Sequence, residues 1–509
     1  MNVATFLSHY GITENPFRAE EARHDSVFSR VETACHHPDY EKIRGDFANP
    51  ASSIVFGERG SGKTAIRLQI EDELANHNRE HADERCLAVL YDELNPVLDR
   101  FARSAGGKGG GAEAIKQFKL VDHVDAMMAA IVPKLVDQAV GDSRPEVSAV
   151  MGEHGLRSFR HLDKQGRQDF ITLQMCYDRP AAAASRTARL KRAIRFRSFN
   201  GIGVLKWLSG LMFLLCAAAS AYVLLWKPTE QLWLWYAAIG VTAALTLAAL
   251  GRWCWLWLKG NAVARDLSQR LRTLDRPAES FRTSLRSINV HDVERMGLPR
   301  SDDDDYRYAM FGRLLNVVRP FGYRSMLVLV DRVDEPTLIN GEPEKMRSLV
   351  WPLLNNKFLQ QDRVGVKLLL PLDLRYALNR ESADFFREAR LDKQNLIERL
   401  TWSGAVLYDL CTARLNACRS GAAQGDGAAK ITLRDVFDDS VTTQDLVDAL
   451  DQMQQPRDAF KFVYSLIQEH CSNVPDERAE FKIPRPVLDS IRKQQVERVS
   501  GMLRGVRPA

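Results

Sequence analysis

Two long apolar runs in the middle of the chain constrain its fold more than any other feature. The first extends from Val204 to Trp226 and is broken only by Lys206; the second extends from Leu232 to Leu250 and on through Arg252 to Leu258. Each holds roughly 20 residues, which as helix at about 1.5 Å per residue spans a hydrocarbon core of about 30 Å. Buried helices of a soluble core are the alternative, but those are shorter and rarely so free of charge. Trp207, Trp226, Trp233, Trp235, Trp253, Trp255 and Trp257 are seven of the nine tryptophans and gather at the ends of the runs, where an aromatic belt meets lipid headgroups. Basic residues flank both runs on the outside: Arg186, Arg189, Lys191, Arg192, Arg195 and Arg197 before the first, Arg252, Lys259 and Arg265 at the end of the second. The link 227–231 is short and nearly neutral. The positive-inside rule then predicts a two-helix transmembrane hairpin (about 204–226 and 232–254) with both flanks cytosolic and the link on the far side, Lys206 snorkelling to the inner interface. An even number of crossings returns the chain to its starting side, so residues before and after the hairpin can build one domain.

Residues Ser52 to Phe56 read as a short buried strand that runs into Gly57, Glu58, Arg59, Gly60, Ser61, Gly62, Lys63 and Thr64, a full match to G-x-x-x-x-G-K-[ST]. Ala65 continues into an amphipathic helix with Ile66, Ile70 and Leu74 on one face. Strand, loop and helix in that order are the context a phosphate-binding loop requires. The glycines let successive backbone N–H groups point inward around a phosphate, and the helix N-terminus adds partial positive charge. The motif predicts a nucleoside triphosphate with Mg²⁺ as ligand: residues 57–65 around the phosphates, Lys63 reaching the β- and γ-phosphates, and the Thr64 hydroxyl on the metal.

Such a loop needs a second strand ending in a carboxylate. Met326 to Val330 are five apolar residues, as suits a strand buried on both faces of a parallel sheet, and Asp331 emerges at their carboxyl end as the second metal-binding residue. Arg332 stands where many ATPases place a glutamate, so Asp334 or Glu335 would orient the attacking water. The carboxylates Asp302 to Asp305 follow no apolar strand and read as a solvated loop.

These features together resemble AAA-type ATPases of the origin-recognition and STAND branch, and also the KAP group of P-loop NTPases, whose transmembrane helices are inserted between the same two elements, here Thr64 and Asp331. The resemblance implies ATP as the nucleotide. The opening Tyr10 to Phe17 (YGITENPF) resembles the start of ExeA-type AAA ATPases. Asp331, Asp334 and Glu335 form an Asp-x-x-Asp-Glu element similar to both branches. Arg390 to Lys393, leading into Leu396 to Trp402, resembles the arginine-bearing loop and last strand of the AAA core, with Arg387 and Arg390 competing for the role of arginine finger. Gln455, Pro456, Arg457 and Asp458 open a helix bearing Phe460, Phe462, Val463 and Leu466 and resemble the sensor-2 motif of a helical lid, which implies that Arg457 reads the γ-phosphate. Only Asp373 follows the strand 364–370 as a polar candidate for sensor 1. The likeness covers roughly 10–100 and 306–490, and its one highly specific motif is the glycine loop.

The expected organisation is an N-terminal arm (1–50), the first part of the NTPase domain (51–140), a basic juxtamembrane segment (141–200), the hairpin (201–260), a helical linker (261–305), the second part of the NTPase domain (306–402) and a helical lid with C-terminal helices (403–509). Within it, strands are expected at 52–56, 86–91, 326–330, 364–370 and 395–402, and helices at 62–77, 122–139, 306–318, 403–419 and throughout 443–505, with loops at 105–111 and 420–429. Alternating strands and helices imply an α/β fold, a parallel sheet with helices on both faces.

The formal net charge of +5 does not argue for a nucleic-acid partner, and the basic C-terminal residues Arg485, Arg492, Lys493, Arg498, Arg504 and Arg507 read as a solvated surface. The eight cysteines form no Cys-x-x-Cys pair, which fits reduced thiols, and Cys35, His36 and His37 read as surface rather than metal ligands. Residues 1–15 carry no visible signal peptide. The chain is therefore expected to be a multi-pass protein of the inner (cytoplasmic) membrane with N- and C-terminal parts cytosolic, hydrolysing Mg-ATP to assemble or remodel something at the inner face. Its partners would be the lipid bilayer, further copies of itself in a homo-oligomer, and an unknown protein. The alternative is a STAND-like switch that loads nucleotide, oligomerises and turns over slowly, with the hairpin as effector. Two crossings are too few for a transport path, and a membrane-tethered DNA-binding initiator would need binding that weakens steeply with salt.

Overall fold

A computed structural model of the chain describes residues 1–503 apart from 20, 32–35, 106–110, 143–157, 197–200, 227–231, 287, 289–292, 294–295, 300, 302, 421–429, 476 and 478. Cys35, most of the 105–111 and 420–429 loops, much of 141–200, Arg197, the 227–231 link, Asp302, Arg504 and Arg507 lie outside the described residues.

The fold is α/β. Five strands, β1 (Ser53–Gly57), β2 (Arg85–Tyr91), β3 (Tyr323–Val330), β4 (Val364–Pro371) and β5 (Asn395–Ile397), form a parallel sheet in the order β2-β3-β4-β1-β5. Every residue of β1 and β4 is buried, as expected of strands covered on both faces. In register, Ser53 stands level with Lys367 of β4 and Asn395 of β5. Lys367 is wholly buried, and its Nζ donates to the Ala51 carbonyl at 2.7 Å, which satisfies a cation in a strand interior. β5 ends at Ile397, short of the expected 402. Leu400 N still donates to Phe56 O (2.8 Å), but beyond it the chain leaves the sheet.

The chain divides into two compact units. One comprises Met1–Arg79, Val328–Glu335 and Gly365–Ala509. Its apolar core joins Phe6, Leu7, Ile12, Phe17 and Val27 to helices Gly404–Ala417, Thr443–Asp451, Pro456–Asn473 and Arg485–Leu503. The Tyr10–Phe17 stretch is anchored there: Thr13 N donates to Cys418 O (2.9 Å), and the buried Arg414 donates from Nε to Pro16 O (2.8 Å) and pairs with Asp25 (2.6 Å). The region 443–505 is not helical throughout. Pro456 opens a new helix at its N1 position, where a missing N–H costs nothing, and Gln454 just before it takes a positive φ of 60°. His37 is buried, not on the surface, with Nε2 2.8 Å from Thr401 O.

The other unit comprises Glu80–Leu327 and Pro336–Val364. Its helices Leu120–Val140, Lys164–Tyr177, Ala183–Ala193, Ala278–Leu285 and Asp304–Val318 pack with buried ion pairs among apolar contacts. Arg307 holds Asp125 (3.1 Å) while Tyr177 Oη donates to the same carboxylate (2.8 Å). Arg186 holds Asp178 (2.8 Å) and Asp137 (2.7 Å), and Arg272 holds Asp122 (2.7 Å). Arg186, read from sequence as part of a juxtamembrane basic block, is thus spent inside the unit, and Arg189 pairs with Asp142 (2.6 Å); Arg192 and Arg195 remain exposed. Asp304 and Asp305 are not loop: they sit in the first turn of the 304–318 helix, where carboxylates complement the helix dipole, and the exposed Asp303 just before it caps the helix through Asp305 N.

The same unit carries two long apolar helices, Gly201–Trp226 and Leu232–Arg270. Both are long and apolar enough to cross a membrane by length and composition, and their apolar windows are almost wholly exposed rather than packed as core. The second runs on past the apolar run as one helix, burying Val263, Ala264 and Leu267.

Candidate functional site

The glycine loop follows the buried strand β1 and passes directly into the helix Lys63–Glu80, which buries Ile66, Ile70 and Leu74. Two of its residues need glycine. Gly60 and Gly62 have φ of +91° and +93°, a region other side chains rarely adopt. A Cβ on Gly60 would lie 2.8 Å from Arg457 Cβ, and one on Gly57 would lie 2.4 Å from Ser61 Oγ, so the loop is drawn tight against its own backbone and its neighbours.

Lys63 reaches back over the loop, its Nζ donating to Gly57 O (2.7 Å) and Glu58 O (2.8 Å). Burial lowers its pKa, opposed by the nearby charges of Asp334 and Asp331. Ser61 Oγ also donates to Glu58 O (2.9 Å). Thr64, in the first helical turn, donates from Oγ1 to Asp331 Oδ2 at 2.9 Å, joining residues 267 apart in the chain. Asp331 is only 1% exposed at the end of β3. Its Oδ1 accepts from Arg332 N (2.9 Å), and Arg67 Nε lies 3.4 Å from Oδ2. Burial raises the Asp331 pKa, with Thr64, Arg67 and Lys63 acting against it.

The two carboxylates expected to orient water are each held by an arginine. Asp334 accepts from Arg59 Nε (3.2 Å), and Glu335 pairs with Arg332, whose φ is +60°. Glu58 ties the loop to later parts of the unit, pairing with Arg399 (2.6 Å) and accepting from Gln455 Nε2. Arg457, in the first turn of the 456–473 helix, is brought to the loop by its backbone, its N donating to Gly60 O at 3.4 Å. Trp402 Nε1 donates to Ser61 O (2.8 Å), and its ring lies beside Gly62.

The residues predicted from sequence therefore fall into two sets. Gly57 to Thr64, Asp331, Asp334 and Arg457 converge at the carboxyl end of β1 and β3, with Ala65 following in the helix, while Glu335 stands just past Asp334 with its half-exposed side chain on Arg332. Arg390 and Arg387 do not join them. Arg390 ends a short helix at φ 48° and sits 3.5 Å from Asp392, while Arg387 pairs with Asp384. Asp373 is exposed in the first turn of the helix after β4. Sequence reasoning gave no role to Arg67 or Arg399, nor to the side chains of Gln455 and Trp402. Arg67 was accessible to it: three residues after Thr64 on a helix, it had to share that residue's face. The other three reach the loop only through tertiary contacts.

The donor set fits the ligand its motif implies. A hydroxyl and a carboxylate at hydrogen-bond distance are hard oxygen donors of the kind Mg²⁺ takes, and the positive-φ glycines leave a backbone cradle that a Cβ would fill. Among the described residues, no cluster of His, Cys, Asp and Glu forms another metal site. No protein-family model matches the chain, and neither a curated protein nor a solved structure matches it, so the meaning of this cluster rests on its own geometry.

Proposed function

We propose that the chain is a P-loop ATPase anchored in the inner membrane by its two apolar helices, binding and hydrolysing Mg-ATP on the cytosolic side and coupling nucleotide state to assembly or remodelling at the membrane. The observation that carries the ATPase reading is the meeting of Thr64 and Asp331 at 2.9 Å beside Lys63 and the positive-φ glycine loop. Thr64 and Asp331 would hold Mg²⁺, which when bound neutralises phosphate charge and orients the phosphates. Residues 57–65 would cradle the phosphates with backbone N–H groups. Lys63, released from the Gly57 and Glu58 carbonyls, would supply a fixed positive charge to the transferring phosphoryl group. Asp334 or Glu335 would orient water once its arginine lets go. Residues 403–509 would act as a lid, with Arg457 turning its guanidinium to the γ-phosphate. Arg390 lies outside the cluster, so its part would be played on the site of a second copy in a homo-oligomer. The exposure of both apolar helices supports the anchor, because a water-facing surface of that extent would aggregate.

One observation favours a second reading, a nucleotide-dependent oligomerisation switch with slow turnover. Both candidate bases are engaged, Asp334 by Arg59 and Glu335 by Arg332, which suits a resting state that must be opened before it turns over. One experiment separates the two. The full chain in detergent is assayed for ATP turnover and oligomeric state beside Lys63→Ala and Glu335→Gln. Sustained turnover, lost in Lys63→Ala and replaced by binding without hydrolysis in Glu335→Gln, establishes the ATPase with Glu335 as base. Binding with assembly and negligible turnover establishes the switch. No nucleotide binding by the wild type sinks both.

A further inference from the structure

Arg252 stands on an apolar face. In the 232–270 helix the residues at i−7, i−4 and i+3 from it are Leu245 (53% exposed), Ala248 and Trp255 (52% exposed), all facing outward as Arg252 itself does, with Lys259 at i+7. Lys259 Nζ lies over the Trp255 ring, 4.7 Å from its centre, so one cation of the stripe already rests on the indole that stands between it and Arg252 in the sequence. The partner helix adds a third charge at a similar depth. Cys216 Sγ lies 3.9 Å from Ile239 O and the Tyr222 and Trp235 rings are 4.7 Å apart, a register that sets the exposed Lys206 roughly level with residue 250. Trp207, 83% exposed, accompanies it.

Seven helical residues separate Arg252 from Lys259, so the guanidinium enters the helix about 10 Å deeper than the ammonium. A cation at that depth on a lipid-facing surface needs an anion. Neither apolar run can supply one: no Asp or Glu occurs in 201–226 or in 232–265, and Glu230 belongs to the link at the other end of the two runs. A second copy of the hairpin would lack one for the same reason. The phosphate of a phospholipid is the anion found at this depth, and guanidinium binds it with two parallel hydrogen bonds while tryptophan prefers the headgroup layer.

We propose that Arg252, Trp255, Lys259 and Lys206 form a seat for an anionic phospholipid of the cytosolic leaflet, which makes the hairpin selective for such lipids as well as anchored. The inference rests on the membrane-spanning reading of the two helices. The test uses the full chain reconstituted in vesicles of phosphatidylcholine with increasing phosphatidylglycerol, one or the other lipid carrying brominated chains. The readout is quenching of the hairpin tryptophans, alongside extraction with alkaline carbonate. Retention after carbonate together with quenching by brominated phosphatidylglycerol at a lower mole fraction than by brominated phosphatidylcholine is the expected result, by about fivefold for each engaged cation. Arg252→Gln should lose about fivefold of that preference and stay in the membrane, and Arg252→Lys should keep most of it. Equal quenching by both lipids in a carbonate-resistant wild type, or full preference in Arg252→Gln, overturns the seat while leaving the anchor intact. Extraction of the wild type by carbonate overturns the anchor and the seat with it.

Discussion

The 120–318 helices and the surroundings of the glycine loop both bury charge, and they do so in opposite ways. In the 120–318 bundle each buried aspartate named above is closed by a guanidinium: Asp125 by Arg307, Asp178 and Asp137 by Arg186, Asp122 by Arg272. Asp125 and Arg307 are 0% exposed, and Tyr177 occupies more of the same carboxylate. Around the glycine loop the carboxylate of Asp331 is just as buried, yet its shortest partners are a hydroxyl and a backbone N–H, with the Arg67 guanidinium farther off at 3.4 Å. Lys63 is spent on two neutral carbonyls rather than on a carboxylate. Closed pairs satisfy each other and hold helices in place. Charges held by weak partners keep their capacity for a ligand, and burial magnifies it.

That contrast can be broken in several places. The largest expected effect is Lys63→Ala, which should lower ATP turnover at least about a thousandfold, since phosphoryl transfer depends on fixed positive charge; steady-state phosphate release reads it. Turnover close to wild type in Lys63→Ala would remove the functional meaning of the loop. Next comes Asp125→Asn, which leaves Arg307 buried without its counter-charge and should cost about 3–5 kcal/mol in chemical unfolding. Asp331→Asn is its mirror: loss of Mg²⁺-dependent nucleotide binding with a small change in stability, because a poorly compensated carboxylate is removed. If the two aspartates behave alike, the contrast between the helical bundle and the glycine loop is wrong.

Acid sharpens it further. Burial pulls the His123 imidazole, between Tyr91 Oη and Leu349 O, down to about 4 from 6.5. The unfolded chain therefore takes up a proton that the folded chain refuses between those values. The stability this neutral histidine contributes is present above pH 6.5 and falls by about 3 kcal/mol as pH drops to 4. Asp122, pushed up to about 6 from 3.8 by burial, works the other way: the folded carboxyl protonates first, so acidification from 6 favours the folded state. His123→Gln removes the first contribution and leaves the second. Denaturant midpoints at pH 7 and pH 4.5 should therefore converge toward, or cross, those of wild type on acidification. The smallest effect expected is Trp402→Phe, which gives up the bond to Ser61 O and should cost about 1 kcal/mol in unfolding, with a weaker grip on nucleotide as its functional trace.

The elements most legible in the sequence were those set by local rules. β1, the loop and the following helix were readable because a buried apolar strand, three glycines and Gly-Lys-Thr impose their conformation within a dozen residues. The two apolar helices were readable because length and lack of charge admit few alternatives. The acidic strand was readable from five apolar residues and one aspartate. The 164–177 and 183–193 helices were not, because their inward faces carry Asp169, Gln174 and Arg186, and a helix that buries paired polar groups shows no apolar stripe. β5 was overextended for a related reason: Leu400 and Trp402 are buried, but they are held by Phe56 O and Ser61 O rather than by a ladder.

By itself the sequence determined the loop that could cradle phosphate, the carboxylate strand that could complete it, and a pair of helices long and apolar enough to cross a membrane. Only the tertiary structure decided which charges meet. It put Asp331 against Thr64, gave Asp334 to Arg59 and Glu335 to Arg332, bound Glu58 to Arg399 and Gln455, and left Arg390 with Asp392. Local pattern fixes a backbone over a few residues through sterics and hydrophobic period. The pairing of charges hundreds of residues apart depends on packing that no local window contains.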